Sequence, residues 1–536
     1  MKKALILIGG EYHNFEANAE TMAGFLGQNG VCEARITSDH KALTRLSGYD
    51  LVIIYASNGD LTSAQERSLC EFVKAGGGLL GVHTATVLGQ GNADYMEMIG
   101  SRFVTHGPMT EFQVNIAADH EVTRRLDGFK ITDEFYLMEK KTRRYEVLAT
   151  AIWQGKTHPM VYVRPYGKGR VCYIALGHDE RAFGLPPFQK LVSQGARWVS
   201  KQAEKKPVRC GIIGYGGAFS MGKHHADQIR RVGLEVTAVC DLNPERLAVA
   251  GEEQGEGVVL HPKLADLAAD PNVDLGVVIT PHNVHADNAL MLLNAGKHVI
   301  VEKPFCTTAE EATAMIEAAR AKDLMLSTYH NRRWDQDFVT IRQIIADGLI
   351  GEVFHIEAYA GGYGHPGYWW RSDKTISGGA IYDWGAHFMD WILNLMPGRI
   401  ESVYGFYHKR VWHDVTNEDQ CQAILRFEGG RYAELQQSSI AAAGKEKWRI
   451  LGTQGAIHAT WEAPIHVVSY ARGRQECIDV PYLPADWLAY YRNIADHLLT
   501  GAPLAVTPES ARRVIAVLEH AEKSAKCGMP LEVPYE

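Results

Sequence analysis

The 536-residue sequence predicts an α/β protein made of two parallel-sheet units followed by an α+β unit. In the first two hundred residues, short apolar runs alternate with amphipathic stretches of helical period. A polar segment at 201–207 interrupts this alternation, which restarts at Val208 and changes beyond Tyr329 to closely spaced β-runs. Because single cores stop growing at roughly 250 to 300 residues, the chain must divide. We predict domains at 1–203, 208–329 and 330–536.

Apolar periodicity gives the elements of each unit. In the first unit the predicted strands are 4–8, 51–55, 79–82 and 171–176, and the predicted helices are 17–26, 63–74 and 187–199. This pattern favours a mostly parallel sheet. In the second unit the predicted strands are 210–213, 236–240, 275–280 and 298–301, with helices beginning near His224 and at His285.

The third unit has the pattern of an α+β domain with an open sheet. Its predicted strands are 353–360, 402–407, 421–427, 431–437 and 448–451, and its predicted helices are about 380–394, 487–499 and 508–526. We expect the last helix to pack back on the second unit.

Composition limits the class of partner. The chain is 46% hydrophobic and 22% charged, with net charge −8 and no long basic run, which excludes a nucleic-acid or anionic-membrane footprint. No stretch approaches the ~20 apolar residues of a membrane helix, and the first apolar run is too short for a signal peptide. Nine cysteines without a CxxC pair suit a reducing cytoplasm. We expect a cytoplasmic protein with a small-molecule substrate.

A glycine-rich turn follows the first strand of the second unit. Gly214, Gly216 and Gly217 stand where backbone amides can approach a pyrophosphate. The third glycine of the usual dinucleotide fingerprint is displaced, because the segment 218–222 lengthens the turn. The spacing alone therefore leaves a cofactor site and a plain turn equally open.

Asp241 favours the cofactor site. It ends the next strand, roughly 25 residues on, where a carboxylate accepts hydrogen bonds from the adenosine ribose and repels a 2′-phosphate. We therefore expect NAD rather than NADP. Arg246 stands close enough to keep NADP open.

Two further motifs end strands on the same sheet edge, where ligands bind in such folds. Thr280, Pro281 and His285 lie in the first, and Glu302-Lys303-Pro304 forms the second. A rigid proline and a buried strand on either side of Lys303 would direct its ammonium into the cofactor crevice. The alternative is a surface lysine at a turn.

The segment 378–390 carries the third motif. On a helix Asp383, His387 and Asp390 lie at i, i+4 and i+7 and share one face. A histidine beside carboxylates can act as a general base. The alternative is an aspartate that starts the helix and a histidine satisfied in the core.

Together these motifs resemble the glucose-fructose oxidoreductase, inositol dehydrogenase and rhizopine-catabolism (Gfo/Idh/MocA) family over 208–536. The resemblance implies a Rossmann domain, a substrate domain, and hydride exchange between NAD(P) and a sugar carbon. It implies a catalytic set of Lys303, Asp383 and His387, in which Lys303 stabilises developing alkoxide, His387 takes the hydroxyl proton and Asp383 orients the ring. It implies a cofactor set of Gly214, Gly216, Gly217, Asp241, Thr280, Pro281, His285, Glu302 and Lys303.

The aromatic segment 363–371 is compatible with a stacking wall for a sugar, and equally with a core or interface role. Members of this family commonly pair through exposed sheet faces. The resemblance therefore implies a homo-oligomer.

In the first unit, strand ends also carry polar side chains. The order of elements resembles the class I glutamine-amidotransferase-like, flavodoxin-like fold. His83 stands where those enzymes keep a nucleophilic cysteine, so we do not expect amidotransfer by such a thiol. Further motifs are Thr105-His106-Gly107-Pro108, Asp119-His120, Asp133-Glu134 and Gly177-His178-Asp179. With them the segment 3–201 resembles ThuA-like trehalose-utilisation domains. Its candidate site residues are His13, His83, His106, Glu134, His178 and Asp179.

Imidazoles and carboxylates suit both acid–base catalysis and a divalent metal, so both stay open beside a purely structural or docking role. ThuA-like proteins are associated with keto-sugar metabolism. The leading hypothesis is a bifunctional enzyme: the C-terminal half oxidises a sugar or glycoside, at C3, and the ThuA-like half eliminates or hydrolyses the keto-sugar. The alternatives are a redox-neutral NAD-dependent glycoside hydrolase, and an oxidoreductase whose N-terminal domain only binds carbohydrate.

Overall fold

The computed structural model describes residues 1–142, 144–202 and 206–535. The chain forms two compact units, Met1–Lys206 with Thr500–Ala502, and Pro207–Leu499 with Pro503–Glu536. Among the helices of the described ranges, none is both long and apolar enough to span a bilayer.

The first unit is built on a nine-stranded sheet of order β2-β1-β3-β4-β9-β8-β7-β5-β6. Its strands are β1 Lys2–Gly9, β2 Cys32–Thr37, β3 Leu51–Ala56, β4 Gly78–Val82, β5 Ser101–Ile116, β6 Phe129–Lys140, β7 Glu146–Trp153, β8 Lys156–Tyr166 and β9 Gly169–Ile174. Its helices are α1 Phe15–Gln28, α2 Ser63–Ala75, α3 Ala93–Ile99, α4 Glu180–Phe183 and α5 Pro186–Val199.

Only part of this sheet is parallel. The predicted strands β1, β3, β4 and β9 pair in parallel, as does β2, which was not predicted, whereas β8, β7, β5 and β6 extend the sheet antiparallel. The prediction of a mostly parallel sheet missed these four strands. The sequences of β5 and β6 are harder to recognise as strands, because these strands mix buried and solvent-facing positions. Strands β3 and β4, in contrast, are buried throughout and form continuous apolar runs.

The second unit begins with a six-stranded parallel sheet of order β12-β11-β10-β13-β14-β15. Its strands are β10 Arg209–Ile213, β11 Glu235–Cys240, β12 Val259–His261, β13 Leu275–Val278, β14 His298–Val301 and β15 Leu326–Thr328. Its helices are α6 Met221–Arg231, α7 Pro244–Gln254, α8 Leu264–Ala269, α9 His285–Asn294, α10 Ala309–Ala321 and α11 Gln336–Ala346. This is the strand order of a Rossmann fold, which confirms the predicted fold class.

An eight-stranded open sheet follows, of order β17-β18-β19-β16-β20-β21-β22-β23. Its strands are β16 Val353–Gly361, β17 Ile400–His408, β18 Gln420–Phe427, β19 Tyr432–Ser438, β20 Trp448–Gly452, β21 Gly455–Ala459, β22 Ile465–Ser469 and β23 Glu476–Val480. The accompanying helices are α12 Lys374–Ser377, α13 Trp384–Leu395, α14 Leu488–Thr500 and α15 Pro508–Cys527.

The helix predicted at 380–394 is in fact two elements. A 3-10 turn, Ala380–Tyr382, is followed by α13, which begins at Trp384. Asp383 lies between them with φ −79° and ψ −86°, outside helical geometry. Asp383 therefore precedes the helix that carries His387.

One continuous apolar core joins the two sheets of the second unit. It contains Val278 and Val301 of the Rossmann sheet together with Leu425 and Trp448 of the open sheet. Helix α15 packs against both α10 and β17. The core therefore fixes the Rossmann sheet relative to the open sheet.

The turn between β10 and α6 depends on one glycine. Gly214 has φ +94°, and its amide donates to the carbonyl of Cys240 at 2.8 Å. A Cβ added here would lie 2.7 Å from the carbonyl oxygen of Ile279. Left-handed backbone and close packing both exclude a side chain.

We predict that Gly214→Ala lowers the free energy of unfolding of the second unit by about 1 to 3 kcal/mol, because it adds left-handed strain and a backbone clash. Chemical denaturation of the full chain measures this. Gly257→Ala is the control, because its Cβ would meet no atom within 4 Å. Equal stability of the two variants would contradict the prediction.

Candidate active sites

A cleft of about 580 Å³ lies in the second unit. Residues from the glycine turn, from the ends of β13 and β14, and from the start of α13 line it together. The predicted site residues found in this lining are Gly216, Gly217, Thr280, His285, Glu302, Lys303, Asp383 and His387.

An ion pair stands at the centre of the cleft. Lys303 Nζ lies 2.7 Å from Asp383 Oδ1, and Arg371 Nη1 donates to the same oxygen at 3.0 Å. Burial alone would raise the pKa of the Asp383 carboxyl, but the charges of Lys303 and Arg371 hold it well below its usual range. Asp383 is therefore an anion that fixes the ammonium of Lys303.

His387 is buried on α13 and lines the same cleft. Burial, and then the nearby Lys303 ammonium, lower its pKa well below the ordinary 6.5. Its Nδ1 has no hydrogen-bond partner among the described residues. The imidazole is therefore neutral at pH 7.

Asp383 does not orient the His387 ring, which corrects the expected geometry. The cause is the break before α13, which directs the Asp383 carboxylate to Lys303 and Arg371. Asp390, expected on the same face, forms two hydrogen bonds with Arg333 at 2.6 and 2.8 Å. Asp390 has a structural role in this ion pair.

A buried chain of hydrogen bonds supports the backbone of Lys303. Glu302 Oε2 accepts the amide of Lys303 at 2.8 Å, and Glu302 Oε1 lies 3.0 Å from His225 Nε2. His225 Nδ1 lies 2.5 Å from the hydroxyl of Tyr491. Sequence reasoning missed His225, although it stands on the helix that follows the glycine turn.

The geometry of the turn fits a dinucleotide. A Cβ at Gly216 would meet no atom within 4 Å, so the backbone there is open to a ligand. Asp241, at the end of β11, accepts the amides of Tyr215 at 2.6 Å and Asn243 at 2.8 Å, which fix its carboxylate. Arg246 donates to the Tyr215 carbonyl at 2.9 Å.

The other predicted cofactor positions have structural partners. Both ring nitrogens of His285 lie 2.8 Å from carbonyl oxygens, those of Pro304 and Thr280. The neutral ring of His285 donates to one of these carbonyls and lies between the segments that follow β13 and β14. Gly214, Asp241 and Pro281 lie outside the lining of the cleft.

Aromatic and cationic side chains also line the cleft. Trp369 and Trp370 line the cleft, and the guanidinium of Arg371 stacks on both rings, 5.3 and 5.1 Å from their centroids. Arg332 lies 4.8 Å from the ring of Trp384 and 5.7 Å from that of Trp487. Arg332 and Trp487 were missed from the sequence, because they stand outside any recognisable motif.

A second cluster of polar side chains lies in the first unit. Its residues come from segments that follow strands and from the strand β6. The potential ligand atoms of His13, His83, Glu134 and His178 all lie within 4.8 Å of one another. His83 follows β4 with φ +44°, and Glu134 lies on β6. Glu134 Oε2 lies 3.1 Å from His178 Nδ1 and 3.6 Å from His83 Nε2.

Two of the residues predicted for this site, His106 and Asp179, lie outside the four-residue cluster. His106 lies at the rim, 45% exposed, with Nδ1 3.4 Å from Glu134 Oε1. Asp179 instead caps α4 and pairs with Arg181. The buried Asp133, not chosen from the sequence, accepts the amides of Gly177 at 2.7 Å and His178 at 3.1 Å.

Burial and hydrogen bonding together set the protonation of this cluster. It lowers the pKa of His13 to about 4, so His13 is neutral at pH 7. Burial would raise the pKa of Glu134, but hydrogen bonds with His178 and His83 hold it well below its usual range. The cluster therefore combines an anionic carboxylate with imidazole nitrogens.

Family models match all three parts of the chain. The ThuA model, described as trehalose utilisation, matches residues 3–199. The model for the oxidoreductase family with NAD-binding Rossmann fold matches 208–330, and the GFO/IDH/MocA C-terminal domain model matches 338–458.

Known proteins agree. The chain is 29% identical over 344 residues to scyllo-inositol 2-dehydrogenase (NADP(+)) IolW of Bacillus subtilis, covering 60% of this chain and 94% of that protein. It is 32% identical to the uncharacterized oxidoreductase YhhX of Escherichia coli, covering 47% and 70%. The crystal structure of an NAD-binding protein from Listeria innocua superposes with TM-score 0.55 at 27% identity, covering 61% and 97%. The chain is therefore an NAD(P)-dependent oxidoreductase of the Gfo/Idh/MocA family that also carries a ThuA domain.

Proposed function

We propose that the second unit oxidises a secondary hydroxyl of a sugar, polyol or glycoside. The observation that carries this proposal is the pairing of Lys303 with Asp383 beside the neutral, buried His387, in the cleft that also contains the glycine turn. The name of the Bacillus subtilis relative, a scyllo-inositol dehydrogenase, supports a polyhydroxylated ring as substrate.

Each residue has one task in this mechanism. Asp383 holds the Lys303 ammonium in place, so that Lys303 can donate to the substrate oxygen and lower the cost of negative charge developing there. His387 takes the hydroxyl proton. When bound, NAD(P) supplies the nicotinamide C4 that accepts the hydride from the substrate carbon. The products are a ketone, reduced cofactor and one proton.

The carboxylate of Asp241 favours NAD over NADP. Its two amide hydrogen bonds keep it at the end of β11, where it would repel a 2′-phosphate. The nearby Arg246 already donates its Nε to a backbone carbonyl.

The proposed ThuA-domain activity follows from the chemistry of the ketone. Oxidation at C3 acidifies the proton on C2, and removal of that proton allows the C1–O bond to break with release of the glycosidic substituent. The ThuA cluster contains imidazoles and a carboxylate suited to moving such protons. We propose that this domain acts on the keto-sugar formed by the oxidoreductase unit.

We predict that NAD, supplied with a panel of glucosides, free sugars and inositols, gives NADH absorbance and a keto product. NAD should be used better than NADP. Lys303→Met should reduce the rate at least about hundredfold, because it removes the donor to the developing oxyanion. It should keep NAD affinity by calorimetry.

Lys322→Met is the matched control, because that lysine binds the Asn294 carbonyl on the surface. Sugar release without NADH would contradict net oxidation and favour a redox-neutral glycoside hydrolase. Full turnover by Lys303→Met would remove the lysine from the mechanism.

A second prediction concerns pH. Because burial and Lys303 lower the pKa of His387 well below 6.5, the proton acceptor stays deprotonated at pH 6.5 and becomes protonated only at lower pH. The kcat/KM of oxidation should therefore hold through pH 6.5 and fall below it. A pH profile at saturating cofactor measures this. An acid limb centred above pH 6.5 would contradict the role of His387.

A third prediction separates the two activities. His83→Ala should leave NADH formation unchanged and stop release of the glycosidic substituent, as followed by product analysis. Glu134→Gln, which keeps the size of the side chain, should do the same. His120→Ala, in the same domain but outside the cluster, is the control. Undiminished release in both cluster variants would assign cleavage to another site.

A further inference from the structure

We propose that His13, His83, His178 and Glu134 form a binding site for one divalent transition-metal ion. Their ligand atoms lie within 4.8 Å of one another. Metal–nitrogen bonds of ~2.1 Å place two ligands at most roughly 4.2 Å apart, so shifts on the order of half an ångström would close the cluster on an ion.

The histidine tautomers support a metal site. His13 Nδ1 lies 3.1 Å from the Glu11 carbonyl, and His83 Nδ1 lies 2.8 Å from the Ala175 carbonyl. A carbonyl accepts only from N–H, so each ring carries its proton on Nδ1 and a free lone pair on Nε2. Metal-ligating histidines are oriented in this way by a carbonyl acceptor at the second ring nitrogen.

Both of these Nε2 atoms are buried and have no hydrogen-bond partner among the described residues. His83 is fully buried. A buried polar atom without a partner costs roughly 1 to 3 kcal/mol, and two such atoms turned to one point need an explanation. The pairing of His178 with Glu134 accounts for neither of them. A shared cation accounts for both.

The backbone around the cluster positions its ligands. Asp133 accepts the amides of Glu134 at 2.8 Å and His178 at 3.1 Å, so one buried carboxylate fixes two of the four ligands. His83 has the left-handed φ of +44°, which a non-glycine residue rarely adopts. The Asp133 carboxylate and the unusual backbone of His83 thus position the four ligands. A pair of residues that only exchanges a proton would not need four side chains positioned in this way.

The donor set also selects the class of ion. Three imidazoles and one carboxylate suit zinc, manganese, iron or cobalt, whereas magnesium and calcium prefer oxygen ligands. The Glu134 and His178 side chains are 15% and 17% exposed, so solvent reaches the cluster from their side. An oxygen ligand such as the ketone of a keto-sugar could bind there. That assignment of ligand rests on the proposed function, and polarising the ketone would acidify the neighbouring C–H.

The test is metal binding by the full chain, independent of turnover. After chelator treatment, titration with zinc or cobalt by calorimetry should show one tight site per chain, and cobalt should give visible ligand-field absorption. Glu134→Gln and His13→Ala should weaken the site at least about hundredfold. His120→Ala should bind like the native chain.

Three results would overturn the proposal: no saturable site in the native chain, native affinity in both cluster variants, or the same loss of affinity in His120→Ala as in the cluster variants. The first of these results is measured on the native chain, so it tests the proposal even if a variant does not fold. Because binding needs neither NAD nor sugar, a metal site could be found even if keto-sugar cleavage is absent. Cleavage without metal binding would equally separate the two proposals.

Discussion

The ion pair between Lys303 and Asp383 is the contact on which the oxidoreductase site depends. The nearby ammonium keeps the Asp383 carboxyl ionised, and Arg371 adds a second positive group to the same oxygen. Burial, and then the same positive charges, lower the pKa of His387 and keep its ring neutral. The charges around Lys303 therefore affect the pKa values of both Asp383 and His387. Asp383 precedes α13 and has non-helical geometry, and from this position its carboxylate contacts Lys303.

Both units place some of their polar groups after the carboxyl ends of parallel strands. In the Rossmann sheet Thr280 and Lys303 follow β13 and β14, and the ring of His285 lies between carbonyl oxygens of the two segments. In the ThuA sheet the ends of β1 and β4 carry His13 and His83. Parallel strands align these ends because their hydrogen bonds fix a common direction.

The sequence predicted the Rossmann domain, because glycine turns and strand-end motifs are local signals. The family resemblance implied that Lys303, Asp383 and His387 act together, but the contact between Lys303 and Asp383 was not predicted. It did not predict strands β5–β8, whose faces mix buried and exposed positions. Nor did it predict the break at Asp383, since a helical pattern cannot reveal one residue outside helical geometry. His225 and Asp133 were missed because they act through backbone amides and other side chains, and such contacts exist only after distant segments have packed. Asp179 was predicted as a site residue because it follows His178 in the sequence, but its side chain caps helix α4.

The shared core of the second unit affects how molecules enter and leave the cleft. The Rossmann sheet and the open sheet are joined by one set of buried apolar side chains. Hinge motion between them would expose that surface to water, at about 25 cal/mol for each Å². The shared core therefore opposes separation of the two halves of the cleft. At the rim, by contrast, Trp369 and Tyr368 are exposed, so no buried apolar surface of this size opposes their displacement.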